Sequence, residues 1–282
     1  MARPQPHVVS APLPHHRLQV LEVPDIPMKS MSVGQFSVMI PGLASQIVKE
    51  HPGESLRVVI GFGHMFWLLA WHGKQPREIR PFEGIDSSTL SLPESEGDLW
   101  IHQSSTDVSL MDELSHHIQE NLHTMTLPLE QWDAKWDCGT NQEEIVPGNI
   151  WIPKTETDFL NGCFLLLLRF QHSPEDGPPL INSIQAVLKN EALVDRVFLR
   201  TLPLETDPET GTLVLLFHQS PETLDDELEQ WLDDDTLTTD MTHELTATSA
   251  VRFFIPSLDI LTGLRQGGIR MNKFSQTQQW KS

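Results

Sequence analysis

Two adjacent histidines are candidate metal ligands because of their type and their spacing from a glutamate. In "SHHIQE", at 115 to 120, His116 or His117 lies within one helical turn of Glu120. An imidazole and a carboxylate at that spacing can hold a metal ion between them. A solvent-exposed helix face has the same composition, and that is the interpretation the sequence favours.

The other short motifs exclude several kinds of site. "GFGHMF", at 61 to 66, begins like a dinucleotide-binding loop, but Phe66 stands at the third glycine position, so a Rossmann fingerprint fails. The chain has no P-loop and no GxSxG nucleophile motif. Cys138 and Cys163 do not form a CxxC pair, and the sequence predicts two reduced thiols without metal.

The elements that must position any site include a repeated corner. "GDLWIHQ" at 97–103 and "GTLVLLFHQ" at 211–219 both read as strands followed by an amphipathic helix. Ser220 is the expected N-cap of the second helix, with Pro221 in its first turn. The first helix has its apolar stripe at Val108, Met111, Leu114, Ile118 and Leu122, and the second at Leu224, Leu228, Trp231 and Leu232. Because "HQS" occurs in both copies, we expect equivalent strand–helix corners.

Further strand and helix patterns surround these corners. Strands are predicted at 16–23, 56–62, 163–171, 196–202 and 251–257, and helices at 42–50 and 181–190. The order in each half is compatible with strand, helix, strand, strand, helix, strand. That order predicts an α+β protein made of tandem ferredoxin-like modules with antiparallel sheets.

The same patterns divide the chain. Residues 15–132 and 158–264 are the two predicted modules, and 133–157 is a linking loop. Residues 1–14, rich in proline and histidine, are expected to be flexible, as is the polar tail 265–282.

Charge and hydropathy limit the possible partners. Acidic residues outnumber basic ones by 39 to 19, and the formal charge of −20 opposes binding to nucleic acid or anionic membrane. The longest purely apolar run, Phe164 to Leu168, is far shorter than the ~20 residues of a membrane span. The first residues lack the apolar block of a secretory signal, so we expect a cytoplasmic protein.

Six short landmarks are spread along the chain: "RVVIGFGHMFW" (57–67), "IRPFEGI" (79–85), "GDLWIH" (97–102), "FLLLLRFQH" (164–172), "FLRTLPLE" (198–205) and "AVRFFIPSLDIL" (250–261). In their sequence and order they resemble the dye-decolorising (DyP-type) haem peroxidases, specifically their intracellular bacterial branch. The family fold, within the dimeric α+β barrel superfamily, is a pair of ferredoxin-like modules. The resemblance therefore implies the same architecture as the repeat.

The resemblance also implies a distal aspartate and arginine beside a haem. "AKWDCGT" matches half of the family's GxxDG motif and retains Asp137, and "FLRTLP" retains Arg200. In such a site a carboxylate moves a proton between the peroxide oxygens, and a guanidinium stabilises the charge that develops as the O–O bond breaks.

The family's proximal histidine has no counterpart. Its position falls on Ser183, or on Ile184 if one gap is allowed, and neither can ligate iron as imidazole does. His172 and His218 are the substitute ligands to test, although a structural role is favoured for both. The site is therefore predicted to be degenerate.

Three functional hypotheses follow from this departure. The first is a haem peroxidase with a non-standard axial ligand, in which Asp137 and Arg200 are catalytic. The second is a protein that binds a porphyrin or another small hydrophobic molecule, and the third is a catalytically silent scaffold. The implied cofactor is haem b or none, and the family resemblance implies a homo-oligomer.

Overall fold

The computed structural model describes residues 3–24, 26–71, 75–87, 90–136, 150–171, 196–206, 209–232 and 246–265. Within them the strands are β1 (His15–Glu22), β2 (Leu56–Phe62), β3 (Leu99–Ser105), β4 (Leu127–Lys135), β5 (Cys163–Gln171), β6 (Val197–Thr206), β7 (Glu209–His218) and β8 (Thr246–Ile255). The α-helices are α1 (Ile26–Ser37), α2 (Ile40–Glu50), α3 (His64–Ala70), α4 (Val108–Leu122), α5 (Pro221–Leu232) and α6 (Leu258–Arg265).

The strands close into one antiparallel barrel in the order β1-β3-β2-β8-β5-β7-β6-β4. Each half of the chain supplies four neighbouring strands, ordered β4-β1-β3-β2 in the first half and β8-β5-β7-β6 in the second. Fourth, first, third, second is the strand order of the ferredoxin-like plan, so that fold prediction is confirmed. Short contacts join the halves, with Ala134 opposite Leu204 and Phe62 opposite Phe254.

Alternation along the strands sorts side chains between the inside and the outside of the barrel. Residues in register share a face, so Arg200 points to the same side as Leu215, its partner on β7. The interior cluster contains, among others, Leu18, Trp100, Leu165, Leu167, Phe198, Leu202, Leu213, Leu215, Phe217 and Phe253. Two further apolar clusters cover the outer faces of the sheets, one under the helices of the first half and one under α5.

Most predicted strands appear close to their predicted bounds, and β2 and β5 coincide with theirs. Strand β4 and helices α1, α3 and α6 are additional to the predicted elements. On α4 the buried stripe contains Leu110, while the predicted member Val108 is 38% exposed. The predicted helix at 181–190 lies outside the described residues.

One helical stretch satisfies the length and composition criteria for a membrane span. Within Pro27–Glu50, an 18-residue window has a mean hydropathy of 1.2, and 39% of that window is buried. It consists of two helices, α1 and α2, separated by a turn, and Val33, Ile40, Ala44 and Ile47 belong to the core of the first half. An apolar core helix meets the same criteria, so the stretch is weak evidence for a membrane protein.

The repeated corner is present, but its matching letters are not equivalent. Asp107 caps α4 by accepting a hydrogen bond from the Ser109 amide, and Ser220 caps α5 by accepting one from the Thr223 amide at 3.2 Å. His102 stands five residues before its cap, while His218 stands two before its own. The two histidines therefore point to opposite faces of their sheets, and the shared "HQS" is a coincidence of letters.

The segment 1–14, for which composition predicts flexibility, contains buried side chains in its described part. Gln5 and Val8 are 1% and 0% exposed, and a short 3-10 helix occupies Pro6–Val8. The physical reason is that the Gln5 amide hydrogen-bonds to the barrel backbone and the Val8 side chain packs in the interior apolar cluster. The tail beyond Arg265 lies outside the described residues.

Candidate functional site

A polar cluster lies inside the barrel, where apolar side chains otherwise predominate. His16 projects inward from β1 and His102 from β3, and His16 Nδ1 lies 2.9 Å from His102 Nε2. Their rings stack with centroids 5.2 Å apart and an interplanar angle of 28°. The two side chains are 1% and 4% exposed, so this hydrogen bond is shielded from water.

Burial holds both imidazoles in the neutral form. It lowers the pKa of His16 to about 3, with the charge of Arg200 as the next largest cause. Burial also lowers the pKa of His102, helped by the neighbouring His16 and Arg200. Near neutral pH the pair can therefore donate and accept hydrogen bonds, but it carries no positive charge.

Arg200 is buried in the same cluster and bound to the chain's own backbone. It is 4% exposed, and its Nη2 donates to the Ser10 carbonyl at 2.8 Å. Its guanidinium carbon lies 5.3 Å from the centroid of the Phe198 ring. The arginine predicted to stabilise a peroxide transition state thus lies within the packed interior of the barrel.

His218, the substitute ligand, ends β7 on the outer face. It is 2% exposed, its ring stacks on Phe164 at 5.9 Å, and no described residue hydrogen-bonds to either ring nitrogen. Burial lowers its pKa, followed by the charge of Arg252, while the Ser220 backbone opposes them. A small cleft of about 90 Å³ adjoins it, lined by Arg196, Val197, His218, Gln219, Ser220, Thr223, Leu224 and Glu227.

Strand register separates Arg200 from His218. Arg200 pairs with Leu215, whereas His218 pairs with Val197, three residues away along each strand. An odd offset reverses the side-chain direction, so the guanidinium and the imidazole project from opposite faces of the same sheet. They cannot flank one planar ligand.

The described residues therefore do not fit a haem between these two side chains. Pockets that hold drug-sized ligands enclose roughly 300–1,000 Å³, well above the cleft of about 90 Å³ beside His218. On the interior face, the inward-facing neighbours of Arg200 on β6, Phe198 and Leu202, are buried in the apolar cluster.

The other predicted site residues are outside the described part of the chain. They are Asp137, His172, Ser183 and Ile184, and Cys138 is outside it as well. Cys163 is described, and burial raises the pKa of its thiol, which favours an unreactive residue.

The motifs set aside on sequence grounds have structural roles. His116 Nε2 lies 3.2 Å from Glu120 on an exposed helix face, and no group of three metal-binding side chains occurs among the described residues. Gly63 permits a close approach, since a Cβ there would lie 2.0 Å from the carbonyl oxygen of Gly97.

The sequence analysis missed the pair formed by His16 and His102. Each histidine alternates with apolar residues in a strand pattern, as in "HRLQV" and "LWIHQ". Alternation alone could have placed both on the face shared with Leu18 and Trp100. Their 2.9 Å contact depends on the pairing of β1 with β3.

Comparison with known proteins gives a family match over part of the chain and several structures with the same fold. Residues 32–127 match the family model described as Dyp-type peroxidase, N-terminal. The encapsulated DyP-type peroxidase of Mycobacterium smegmatis is 18% identical, with a TM-score of 0.79 over 95% of this chain and 99% of that one. A dye-decolorizing peroxidase of Bacteroides thetaiotaomicron is 16% identical, with a TM-score of 0.78 over 94% and 99%.

A third structure was solved with its cofactor. A variant of DypB from Rhodococcus jostii, in complex with heme, is 18% identical, with a TM-score of 0.78 over 92% of this chain and 98% of that one. No curated protein matches the chain.

Proposed function

Starting from a chain with the fold of the DyP-type peroxidases and the N-terminal domain of their family, we propose that it is a relative with a degenerate haem site and no ordinary peroxidase turnover. The observation that carries the proposal is the separation of Arg200 from His218 by the sheet. A peroxidatic site needs a charge-stabilising group and an axial donor on opposite sides of one porphyrin. Here Arg200 faces the interior of the barrel, whereas His218 faces the outside of the sheet.

The surroundings of Arg200 support the same conclusion. Its bond to the Ser10 carbonyl gives the guanidinium a structural function, and its ring contact with Phe198 fixes its orientation. A group that stabilises developing charge must instead face the reacting atoms. The resemblance to peroxidases extends to fold and family, while the described chemistry near Arg200 is that of a packed interior.

Haemin titration of the purified full-length chain tests the proposal. We expect no sharp, saturable Soret band at one equivalent of haemin, and no high-valent intermediate after peroxide is added. A saturable band that changes with peroxide would contradict the proposal.

A second candidate function is haem binding through a non-standard axial ligand. One observation favours it: His218 is a buried imidazole whose two nitrogens have no hydrogen-bond partner among the described residues, and burial lowers its pKa. If haemin binds, His218→Ala and His172→Ala should be compared with His116→Ala, which changes an exposed histidine. Loss of the Soret band in one of the first two variants, with retention in the control, would identify the ligand.

The scaffold hypothesis predicts self-association. Exposed apolar side chains on the first half include Met28, at 78% exposure, and Met31, at 57%. We propose that the chain forms a homo-oligomer, as the family resemblance implies. Light scattering of the eluting protein would give its mass, and a monomer at every concentration tested would refute this part of the proposal.

A further inference from the structure

The segment of residues 3–11, which we call the N-terminal strap, is tied to several elements of the barrel. The Leu258 amide of α6 donates to the Arg3 carbonyl at 2.8 Å. The guanidinium of Arg200 on β6 binds the Ser10 carbonyl at 2.8 Å, and that of Arg57 on β2 binds the next carbonyl, Ala11, at 2.6 Å. The strap thus connects both halves of the chain.

Gln5 occupies the seam between the two halves. Its Nε2 donates to the carbonyls of Ile60 and Pro256, both at 2.9 Å, and its Oε1 accepts from the Ile60 amide at 3.0 Å. The described pairing of β2 with β8 is limited to Phe62 opposite Phe254. One amide side chain therefore satisfies backbone groups at Ile60 that a neighbouring strand would otherwise satisfy.

The strap also contacts the interior that contains the histidine cluster. Val8 is fully buried within the interior apolar cluster, which includes Trp100. Arg57 lies opposite Ser104 in the ladder, and Ser104 lies opposite His16 in the next one, which places Arg57 and His16 at the same level of the barrel. The strap carbonyls bound by Arg57 and Arg200 accordingly lie at the end of the barrel where the cluster is.

Several features make the strap separable from the barrel. It makes no strand ladder with the described strands, and Gln5 and Val8 are its two fully buried residues. His7 Nδ1 and His16 Nε2 are buried, and neither has a hydrogen-bond partner in the part of the chain that the structure describes. Water would satisfy both atoms if the strap moved away, which lowers the cost of opening.

We propose that the N-terminal strap is a gate over the end of the barrel, and that it detaches locally to expose His16 and His102 while the barrel stays folded. Gln5 is the latch because it makes three hydrogen bonds across the seam. The gate controls access of water and small solutes to the histidine cluster.

Histidine labelling of the full-length protein tests this gate. Diethyl pyrocarbonate modifies accessible neutral imidazoles, and mass spectrometry gives the rate at each histidine. Gln5→Ala should raise the rates at His16 and His102 by about tenfold or more, since a buried amide with three partners is removed. Arg3→Ala, which removes an exposed ion pair with Asp259 at 3.6 Å, should raise them less and should not affect folding.

His218 is the matched internal control. It is as buried as His16 but lies on the outer face of β7, away from the strap contacts. The gate requires faster labelling of His16 and His102 with an unchanged rate at His218. Unchanged rates at the first two residues would overturn the proposal, and so would an equal increase at all three, which would indicate unfolding of the whole barrel.

Discussion

The buried His16 should make the folding stability of this protein depend on pH in a way that one substitution removes. His16→Gln retains a polar side chain of similar length without a titrating imidazole. In the unfolded wild-type chain the imidazole has the ordinary pKa of 6.5, and in the folded protein its pKa is about 3. The folded state therefore resists protonation, and stability that is present above pH 6.5 is lost as the pH falls.

The size of the effect follows from these two pKa values. Between about pH 8 and about pH 5.5, the unfolded chain takes up a proton at this position and the folded protein does not, which removes about 1.4 kcal/mol of stability. This loss of stability depends little on how far the pKa of His16 is lowered in the folded protein, because the imidazole stays neutral there at every pH in this range.

Urea denaturation at several pH values measures the difference. Both proteins will share the pH dependence of the remaining titratable groups, so the informative quantity is the free energy of unfolding of the variant minus that of the wild type. We expect this difference to change by about 1.4 kcal/mol in favour of the variant as the pH falls from about 8 to about 5.5. The range stays above the isoelectric point of about 4.9, where solubility is lowest.

His116→Gln is the control, since its side chain is 68% exposed on α4. That variant shows what the replacement of an imidazole by an amide does at a position outside the buried histidine pair. If the difference for His16→Gln stays constant within error while both proteins remain two-state, the imidazole is not buried and neutral in the folded protein, and the reasoning fails.

Two stability predictions follow from close contacts elsewhere. Gly63→Ala would place a Cβ 2.0 Å from the carbonyl oxygen of Gly97 and should lower the free energy of unfolding by at least about 2 kcal/mol in urea. Gly263→Ala, where a Cβ meets nothing within 4 Å, is its control, and an equal loss in both would contradict the contact. Asp225→Asn should cost about 3–5 kcal/mol, because it leaves the Arg252 side chain, 1% exposed, without its counter-charge. Asp225→Glu keeps the charge and should cost less in the same assay, and a loss below about 1 kcal/mol with asparagine would refute the role of the pair.

The fold and the resemblance to a family could be predicted from local sequence features. Strands such as "LRVVIGF" and "CFLLLLRFQ" are bounded apolar runs, and their predicted ends match the structure. Strand β4 was harder to recognise because most of its residues are exposed, leaving Trp132 and Ala134 as its buried positions. Helix α3 lacked a clear start signal, since no side chain caps its first turn among the described contacts.

The geometry of the candidate site depends on which strands pair and in which register, and local sequence patterns do not give that pairing. The sequence indicated Arg200 and His218 as chemically suitable residues, yet the pairing of β6 with β7 decided that they face opposite sides. Composition predicts a flexible N-terminal segment, but the described strap packs on the barrel. Gln5 holds it there by donating hydrogen bonds to the carbonyls of Ile60 on β2 and of Pro256. Asp137, His172, Ser183 and Ile184 stay predictions.

Patterns of contiguous residues were enough to predict most of the strands, the helices α2, α4 and α5 and the types of residue available for chemistry, since hydrophobic periodicity and family landmarks are properties of contiguous residues. Only the tertiary fold determines which of those residues lie in contact. Strand register and barrel closure bring together residues as distant in sequence as His16 and His102. They also bury Arg200, whose residue type suits a peroxidase, where its guanidinium binds the N-terminal strap.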